Sequence, residues 1–530
     1  MDNFIFLVLK FYLFYSFFFL YGRAIILNFL KNRNIETIDD FRVFGIEIHI
    51  FYPILGVIFL GNFLFMFNFF YPIKSNYFLI FYLFLFLNFK FPLSILNLKK
   101  FVYFSSVYIV LIISSYNIGF HYDAGLYHLN NQLWLRESNI IFGFSNIYSV
   151  FGVSSIYEYI SSLLWIDKTF ILLHFLNLLF IGLLYKVMIF STLYTKNTKL
   201  KNAFYMILIF SLLDNFGFSG GRNGFISIQS LGKQDLAIGV IFLLLALFIV
   251  ISIIDKNFKK NELLIISIFS LFLFQLKISA VPIFFLYLLY LYLFIRNRNY
   301  DVVIKTIFPI LLFGIFWIIK SVIHTGCLVF PLSVTCFKNL DWVYIDYIRA
   351  VEDVSVVYSN SYYFNESFSN WLIRYFELSI NKTIGLNFLI SFLLILLLNI
   401  NKLRNKLPKS INLLLILFTF TSILFYLRFG PDVRYLIGFQ MFLIAMIGVY
   451  SDITINLNRK ITLFIIFISI IFIPRIQTYK EFNFFSTPNL ELPTAEVVKL
   501  NNRYYPKDGD QCWANMECSG NKEFYFILFE

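Results

Sequence analysis

Long runs of about 20 apolar residues recur along almost the whole 530-residue chain, and they constrain the fold more than any other feature. A run of roughly 20 residues is the length that an α-helix needs to cross the hydrocarbon core of a membrane. Only helices and closed barrels satisfy their backbone groups in lipid. Fourteen such runs, including those near 44–71 and 77–92, predict an all-α, polytopic transmembrane bundle of about 14 spans.

Composition excludes several other classes of protein. The chain is 59% hydrophobic and 14% charged, against roughly 45–50% and about 25% in soluble domains. A soluble globular protein, a collagen, a disordered chain and a nucleic-acid-binding protein are therefore excluded. The net charge of +13 arises from Lys and Arg clustered in alternate short loops. Such loops remain cytoplasmic, so the charge is mostly a topology signal and places both termini outside the cytoplasm.

This orientation divides the chain into three parts. Transmembrane helices occupy 1–100, a transmembrane core occupies 101–474, and an extracytoplasmic tail occupies 475–530. The core has long outer loops at 120–168, 217–235 and 321–383. Lys10 interrupts the first apolar run and no small-residue cleavage site follows it, so we expect a spanning helix there. Because the long loops share one face, we expect the functional site on the outer side.

All four cysteines fall on that outer side, where an oxidising compartment permits disulfides. Cys512 and Cys518 lie close together in GDQCWANMECSG and predict a small disulfide loop. For Cys327 and Cys336, a bridge and two separate buried thiols both stay open. The sequence has no GxxxxGK[ST], no GxGxxG after a strand and no HExxH, which argues against an ATP-driven pump or an enzyme with a cytosolic nucleotide domain.

The first outer loop holds the densest chemistry. His121, Asp123, Tyr127 and His128 lie within eight residues, directly after an apolar run. A carboxylate at that boundary, beside proton donors, suits a general base. Asp123 also begins an amphipathic helical pattern expected to lie in the interface, so an N-cap role is the alternative. A divalent cation held by the two histidines and Asp123 is a further alternative, although it lacks a fourth ligand.

A second outer segment, GGRNGFISIQSLGKQD, carries Arg222, Lys233 and Asp235. A lysine beside the free N–H groups of a helix N-terminus suits a phosphate group. The alternative is that Asp235 caps the following helix while Lys233 extends to the interface.

A third outer segment, RFGPDVRY, links two later spans and contains Arg428, Asp432 and Arg434. An arginine is planar and permanently charged, so a pair of them can clamp a phosphate. The alternative is an internal ion pair between Asp432 and one arginine.

Several motifs, taken in order, resemble those of a known family. They are FHYDAGLYH followed by a Trp-containing helix, GKQD at a helix start, HTGCLVFP running to DW, PDVRYLIGF, and QCWANMEC. This order is similar to that of a family of bacterial polytopic membrane proteins often encoded among polysaccharide genes, which itself resembles the GT-C superfamily of glycosyltransferases. The resemblance covers residue 100 or so to the end. Cys327 and Val329 depart from the family's usual aromatic-Pro turn.

The resemblance implies a GT-C-like core at 101–474 in a multi-pass protein of the bacterial inner (cytoplasmic) membrane. Such enzymes take a sugar from a polyprenyl-phosphate carrier and pass it to a hydroxyl of a glycan or lipid acceptor by an inverting displacement. Asp123 would be the catalytic base, and Arg222, Lys233 and Arg434 would offset charge on the lipid phosphate. His121, Tyr127 and His128 would orient Asp123 or bind substrate, as would Asp235, Arg428 and Asp432. No cofactor is implied beyond the divalent cation left open above.

Three other functions compete with this interpretation. A transporter of lipid-linked oligosaccharides should carry charged residues near the middle of several spans, whereas these spans are mostly free of them. Of the exceptions, Asp214 and Lys186 lie near enough to a span's end to cap or snorkel, and Lys10 does not. A polysaccharide polymerase would use the same lipid phosphate and is not separated by the sequence. A non-enzymatic scaffold is disfavoured by the His, Asp and Arg residues gathered on one face.

Overall fold

The fold was described from a computed structural model of the chain. The structure describes residues 3–29, 42–77, 98–153, 155–166, 170–215, 227–297, 300–360, 367–377, 379–402, 409–429, 433–451, 455–474, 476–488, 490–500 and 503–518. The predicted span near 77–92 lies almost wholly outside these residues.

Helices dominate the described residues, as the apolar runs predict. In chain order they are α1 Phe4–Phe29, α2 Tyr52–Phe67, α3 Leu98–Ile113, α4 Leu129–Glu137, α5 Ile156–Leu163, α6 Ile171–Leu193, α7 Thr198–Asn215, α8 Asp235–Ile254, α9 Lys260–Leu276, α10 Pro282–Asn297, α11 Tyr300–Thr325, α12 Ile345–Asn360, α13 Phe368–Glu377, α14 Ser379–Lys402, α15 Lys409–Phe429, α16 Val433–Tyr450, α17 Arg459–Ile471 and α18 Ile476–Glu481.

Within the described ranges, short strands pair in three places. β1 (Arg42–Val43) and β2 (Ile46–Glu47) are antiparallel, as are β5 (Val497–Leu500) and β6 (Arg503–Pro506). β3 (Gly119–Phe120) and β4 (Ser230–Leu231) are parallel. The predicted run at 44–71 is thus a tight β1–β2 turn followed by the 16-residue α2.

Four of the described helices are long and apolar enough to cross a membrane: α1, α6, α8 and α11. Six further apolar helices of the described chain are shorter, at 10–17 residues. A helical protein with membrane-spanning candidates is therefore confirmed. The prediction of about 14 spans is not supported, because apolar composition does not distinguish a spanning helix from a shorter apolar core helix.

The centre of the bundle is formed by α6 and α8, which are apolar on all sides and almost wholly buried. A helix that is hydrophobic all round belongs in a core surrounded by other helices. The helix α11, which packs on α9, instead exposes large apolar side chains such as Phe308, Leu311 and Ile315. This face is suited to contact with lipid. The helices α1 and α2 join the same hydrophobic core as the rest of the bundle.

Glycines allow α1 and α2 to approach closely. A Cβ on Gly22 would lie 1.9 Å from the carbonyl oxygen of Tyr52, and one on Gly56 would lie 2.1 Å from that of Phe18. Small residues at such crossings are typical of helix packing in membranes.

The long outer loops contain structure of their own. Residues 120–168 hold a π-helical turn (Ala124–His128), α4 and α5, while α12 and α13 lie within 321–383. The predicted amphipathic helix after Asp123 exists as α4, but its polar Asn130, Asn131 and Gln132 are buried. The helix therefore packs into the protein instead of lying in the interface.

Candidate functional site

The parallel strands β3 and β4 bring two of the predicted motifs together. The backbone N–H of His121 donates to the carbonyl of Leu231 at 3.1 Å. Gly232 follows with φ +80°, and a Cβ there would lie only 2.6 Å from the Cβ of Ala124. The HYDAGLYH turn therefore packs directly against the GKQD turn, although about 110 residues separate them in the chain.

Asp123 immediately precedes the π-helical turn. Its carboxylate makes no capping hydrogen bond to that turn, so the N-cap alternative is wrong. Asp123 Oδ2 lies 3.5 Å from His121 Nδ1, and that nitrogen also accepts the backbone N–H of Asp123 at 3.1 Å. The Asp123 side chain is 17% exposed. Single π-helical turns occur frequently at functional sites, and Asp123 stands at the start of this one.

Three carboxylates act on the Tyr127 hydroxyl. Burial raises the pKa of Tyr127 well above its ordinary value, and electrostatic interaction with Asp123, Tyr435, Asp235 and Glu158 raises that pKa further. The carboxylates come from three separate segments, the 121–128 turn, α5 and the start of α8. Tyr127 therefore stays protonated and is able to donate a hydrogen bond to a ligand.

His128 is held by a carboxylate that the sequence analysis missed. Its Nδ1 is hydrogen-bonded to Oε1 of Glu158, and both side chains are buried. Gln132 Nε2 donates to the other Glu158 oxygen at 2.7 Å, and Trp165 Nε1 donates to Gln132 Oε1 at 2.7 Å. Such a chain of hydrogen bonds fixes the orientation of the ring. The His128 ring is thus oriented by Glu158.

Lys277, paired with Asp235, brings a cation to the site. Asp235 is the first residue of α8, and its Oδ1 lies 3.6 Å from the Nζ of Lys277, which directly follows α9. The same Nζ lies 3.9 Å from the ring centroid of Tyr435, in the first turn of α16. Lys233 is half-buried two residues before Asp235. Lys277 was not predicted because it is a single polar residue between two apolar runs.

The C-terminal tail packs over the loop that carries Asp123. Trp513 N donates to the carbonyl of Gly125 at 2.8 Å, and a Cβ on Gly125 would lie 2.9 Å from the Trp513 ring. Tyr122 donates its hydroxyl to Asp510. That hydrogen bond, followed by burial and nearby negative charge, raises the pKa of Tyr122 to about 12. The tail is therefore part of the wall of the site.

Both cysteine pairs are bridged. The predicted Cys512–Cys518 bond closes the small loop that positions the tail. Cys327 and Cys336, which the sequence left open, also form a disulfide.

Of the remaining predicted site residues, the structure describes some and not others. Arg222 and Asp432 lie outside the described residues. Arg428 belongs to the end of α15 and Arg434 to the first turn of α16, next to Tyr435. Within the described ranges no group of three or more His, Cys, Asp and Glu is arranged to hold a metal ion.

An apolar cavity of about 840 Å³ lies beside the site. Residues of α13, α14, α15 and α16 line it, among them Phe376, Phe388 and Phe392, with Lys382 and Glu377 as its charged members. The helix α16 connects the two features, because Tyr435 contacts Lys277 while Leu436 and Phe439 line the cavity.

Comparison with known proteins gives a family but no function. No curated protein matches the chain, and no solved structure matches it. One family model, described as a domain of unknown function (DUF8201), matches residues 4–441 and so includes the N-terminal helices. Because this match covers most of the sequence, the chain belongs to the DUF8201 family.

Proposed function

We propose that this protein is an inverting membrane glycosyltransferase that moves a sugar from a polyprenyl-phosphate donor to an acceptor hydroxyl. It would act at the outer face of a bacterial inner membrane, in envelope polysaccharide or glycolipid synthesis. One observation carries the proposal, namely the position of a carboxylate-rich site with an adjacent lysine beside a lipid-sized apolar cavity.

Asp123 is the proposed general base. It is partly accessible, makes no side-chain capping hydrogen bond, and its Oδ2 lies 3.5 Å from His121 Nδ1. In the reaction it would remove the acceptor's hydroxyl proton while the sugar's bond to the lipid phosphate breaks. Tyr127, kept protonated by its surroundings, would donate a hydrogen bond to the sugar or the acceptor.

The leaving phosphate needs positive charge. Lys277 and Lys233 lie at the same end of the bundle as Asp123 and are the described candidates. Arg222 and Arg434 remain the predicted ones. A fixed cation beside a developing negative charge lowers the barrier because it needs no reorganisation during the reaction.

The apolar cavity suits the lipid chain of the donor. Its volume of about 840 Å³ falls within the range of roughly 300–1,000 Å³ that is common for small-molecule sites. Its lining is aliphatic and aromatic, which is suited to a polyprenyl chain, and Leu436 and Phe439 place it one helical turn from Tyr435.

A lipid-linked oligosaccharide transporter is the second candidate, and Lys186 favours it. The expectation that Lys186 snorkels is wrong, since it is 4% exposed and its Nζ donates to the Tyr15 hydroxyl at 2.7 Å. Buried charge inside a span is a feature of transport pathways. A single lysine surrounded by aromatic rings is nevertheless a weaker argument than the cluster of groups around Tyr127. A polysaccharide polymerase would use the same site.

Asp123→Asn tests the proposal. A strain lacking its own copy of the gene receives the wild-type protein, Asp123→Asn or the control Asp346→Asn, whose side chain is 92% exposed. Mass spectrometry of extracted lipids measures polyprenyl-phosphate-linked sugars, and glycan analysis measures the product. We expect Asp123→Asn to reduce transfer by about 10²–10⁴-fold and the lipid-linked donor to accumulate, with the control unchanged. Unchanged transfer in Asp123→Asn would overturn the assignment, and accumulation of complete lipid-linked glycans would favour the transporter.

A further inference from the structure

A polar cavity lies at the opposite end of the bundle from Asp123. The helix α8 begins at Asp235, beside Lys277, and its 20 residues correspond to a length of about 30 Å. A cavity of about 240 Å³ lies where α8 ends and α9 begins, closed by the β1–β2 turn and the link between α6 and α7. The distance between the two sites is about the thickness of a hydrocarbon core.

Glu262 is the buried acid of this cavity. Its residue is 1% exposed and it lines the cavity wall. One carboxylate oxygen, Oε1, accepts the backbone N–H of Phe44 at 3.1 Å and lies 3.9 Å from the Nζ of Lys259. The backbone N–H of Lys259 also contacts the carboxyl group. The other oxygen, Oε2, is buried and has no hydrogen-bond partner among the described residues. An unpaired buried carboxylate oxygen is costly, so this atom points to a ligand that donates hydrogen bonds.

The rim of the cavity is basic. Arg42, Lys196 and Lys259 line it, and the side chains of Arg42 and Lys259 are each 55% exposed. The one other acid among the described lining residues, Asp255, is already bonded to Lys199 and to Asn197, whose Nδ2 donates to it at 3.0 Å. The rim therefore attracts an anionic group, while the interior at Glu262 requires a donor.

We propose that this cavity binds the headgroup of an aminophospholipid, with its ammonium on Glu262 and its phosphate on Arg42, Lys196 and Lys259. Such a headgroup carries both charges and is present at the membrane surface where the helices end. The volume of about 240 Å³ lies below the roughly 300 Å³ at which drug-sized sites begin, which favours a small headgroup over a nucleotide. The inference does not depend on sugar transfer.

Lipid binding to the purified full-length protein tests this inference. Native mass spectrometry and thermal unfolding in detergent would compare phosphatidylethanolamine with phosphatidylcholine, phosphatidylglycerol and free phosphoethanolamine. The variants are Glu262→Gln, Lys259→Gln and, as a matched control, Lys260→Gln, because Lys260 is the neighbouring lysine and does not line the cavity.

We expect the wild-type protein to bind phosphatidylethanolamine most strongly, since a quaternary ammonium cannot donate a hydrogen bond and phosphatidylglycerol has no ammonium. Glu262→Gln should weaken that binding by at least about tenfold, and Lys259→Gln by several-fold. Lys260→Gln should bind as the wild type does. Equal binding of all three lipids, or unchanged binding in a folded Glu262→Gln protein, would overturn the proposal. Binding of free phosphoethanolamine at equal affinity would refute a lipid as the occupant.

Discussion

Gly232→Ala should disrupt the candidate site by a mechanism that can be measured directly. Gly232 has φ +80°, and a Cβ there would lie 2.6 Å from the Cβ and 3.1 Å from the Cα of Ala124. A left-handed conformation costs an alanine about 1–2 kcal/mol, and overpacking a tight contact costs about 1–3 kcal/mol. Together these effects predict a loss of about 2–5 kcal/mol in the free energy of unfolding. Relief of the clash would displace Ala124, and Asp123 with it.

Two other glycines serve as control positions that distinguish the cost of the left-handed conformation from the cost of the clash. Gly509 has φ +70° and a Cβ there would meet nothing within 4 Å, while Gly119 has neither a positive φ nor a neighbour within 4 Å of its Cβ position. Reversible unfolding by SDS in mixed micelles should therefore show Gly119→Ala as nearly neutral. Gly509→Ala should lower the free energy of unfolding only by the cost of the left-handed backbone conformation. Gly232→Ala should lower it the most. If Gly232→Ala falls within about 0.5 kcal/mol of Gly509→Ala, the packing of Gly232 against Ala124 is not what the geometry indicates.

Two further predictions concern the tail. Replacing Cys512 and Cys518 with serine opens a short loop and should cost about 2 kcal/mol, seen as faster proteolysis of the tail with the rest of the bundle intact; an unchanged cleavage rate would contradict a role for the bridge in holding the tail. Because the folded pKa of Tyr122 is about 12 against an ordinary 10.0, its stabilising contribution is complete below pH 10 and is lost as the pH rises to about 12. Stability measured over that window should fall less steeply in Tyr122→Phe, and identical slopes would show that the Asp510 hydrogen bond is not formed.

The class of fold could be predicted from the sequence because the free energy of moving apolar side chains from water into a membrane depends on composition alone. The helices α6, α8 and α11 coincide with predicted spans. Hydropathy says nothing of the tight turn at Phe44–Gly45, which shortens the run at 44–71 to a 16-residue helix. The number of spans is thus a question of local backbone conformation and tertiary packing, and apolar content does not answer it.

Local turn chemistry pointed to part of the candidate site. Asp123 and Asp235 both stand where an apolar run meets a polar turn, and the structure brings those two turns together through β3 and β4. Glu158 gave no comparable signal, because it lies in a short helix that is otherwise apolar or weakly polar. Its role depends on His128 and Gln132, which approach it only after α4 packs on α5.

The connection between helices explains why Asp235 and Lys277 lie at the same end of the bundle. The packing of the helices explains why the two side chains are in contact. The link between α8 and α9 is short, so the two helices run in opposite directions, and the start of α8 must lie near the end of α9. Asp235 and Lys277 are therefore at the same end of the bundle, however the two helices pack. Their 3.6 Å contact, however, depends on the rotation and axial offset of both helices, which are set by the buried side chains along their whole length. The same two helices place Glu262 at the other end, which ties the geometry of both cavities to one packed interface. A substitution inside that interface should consequently disturb both sites, whereas Asp123→Asn and Glu262→Gln should each disturb only one.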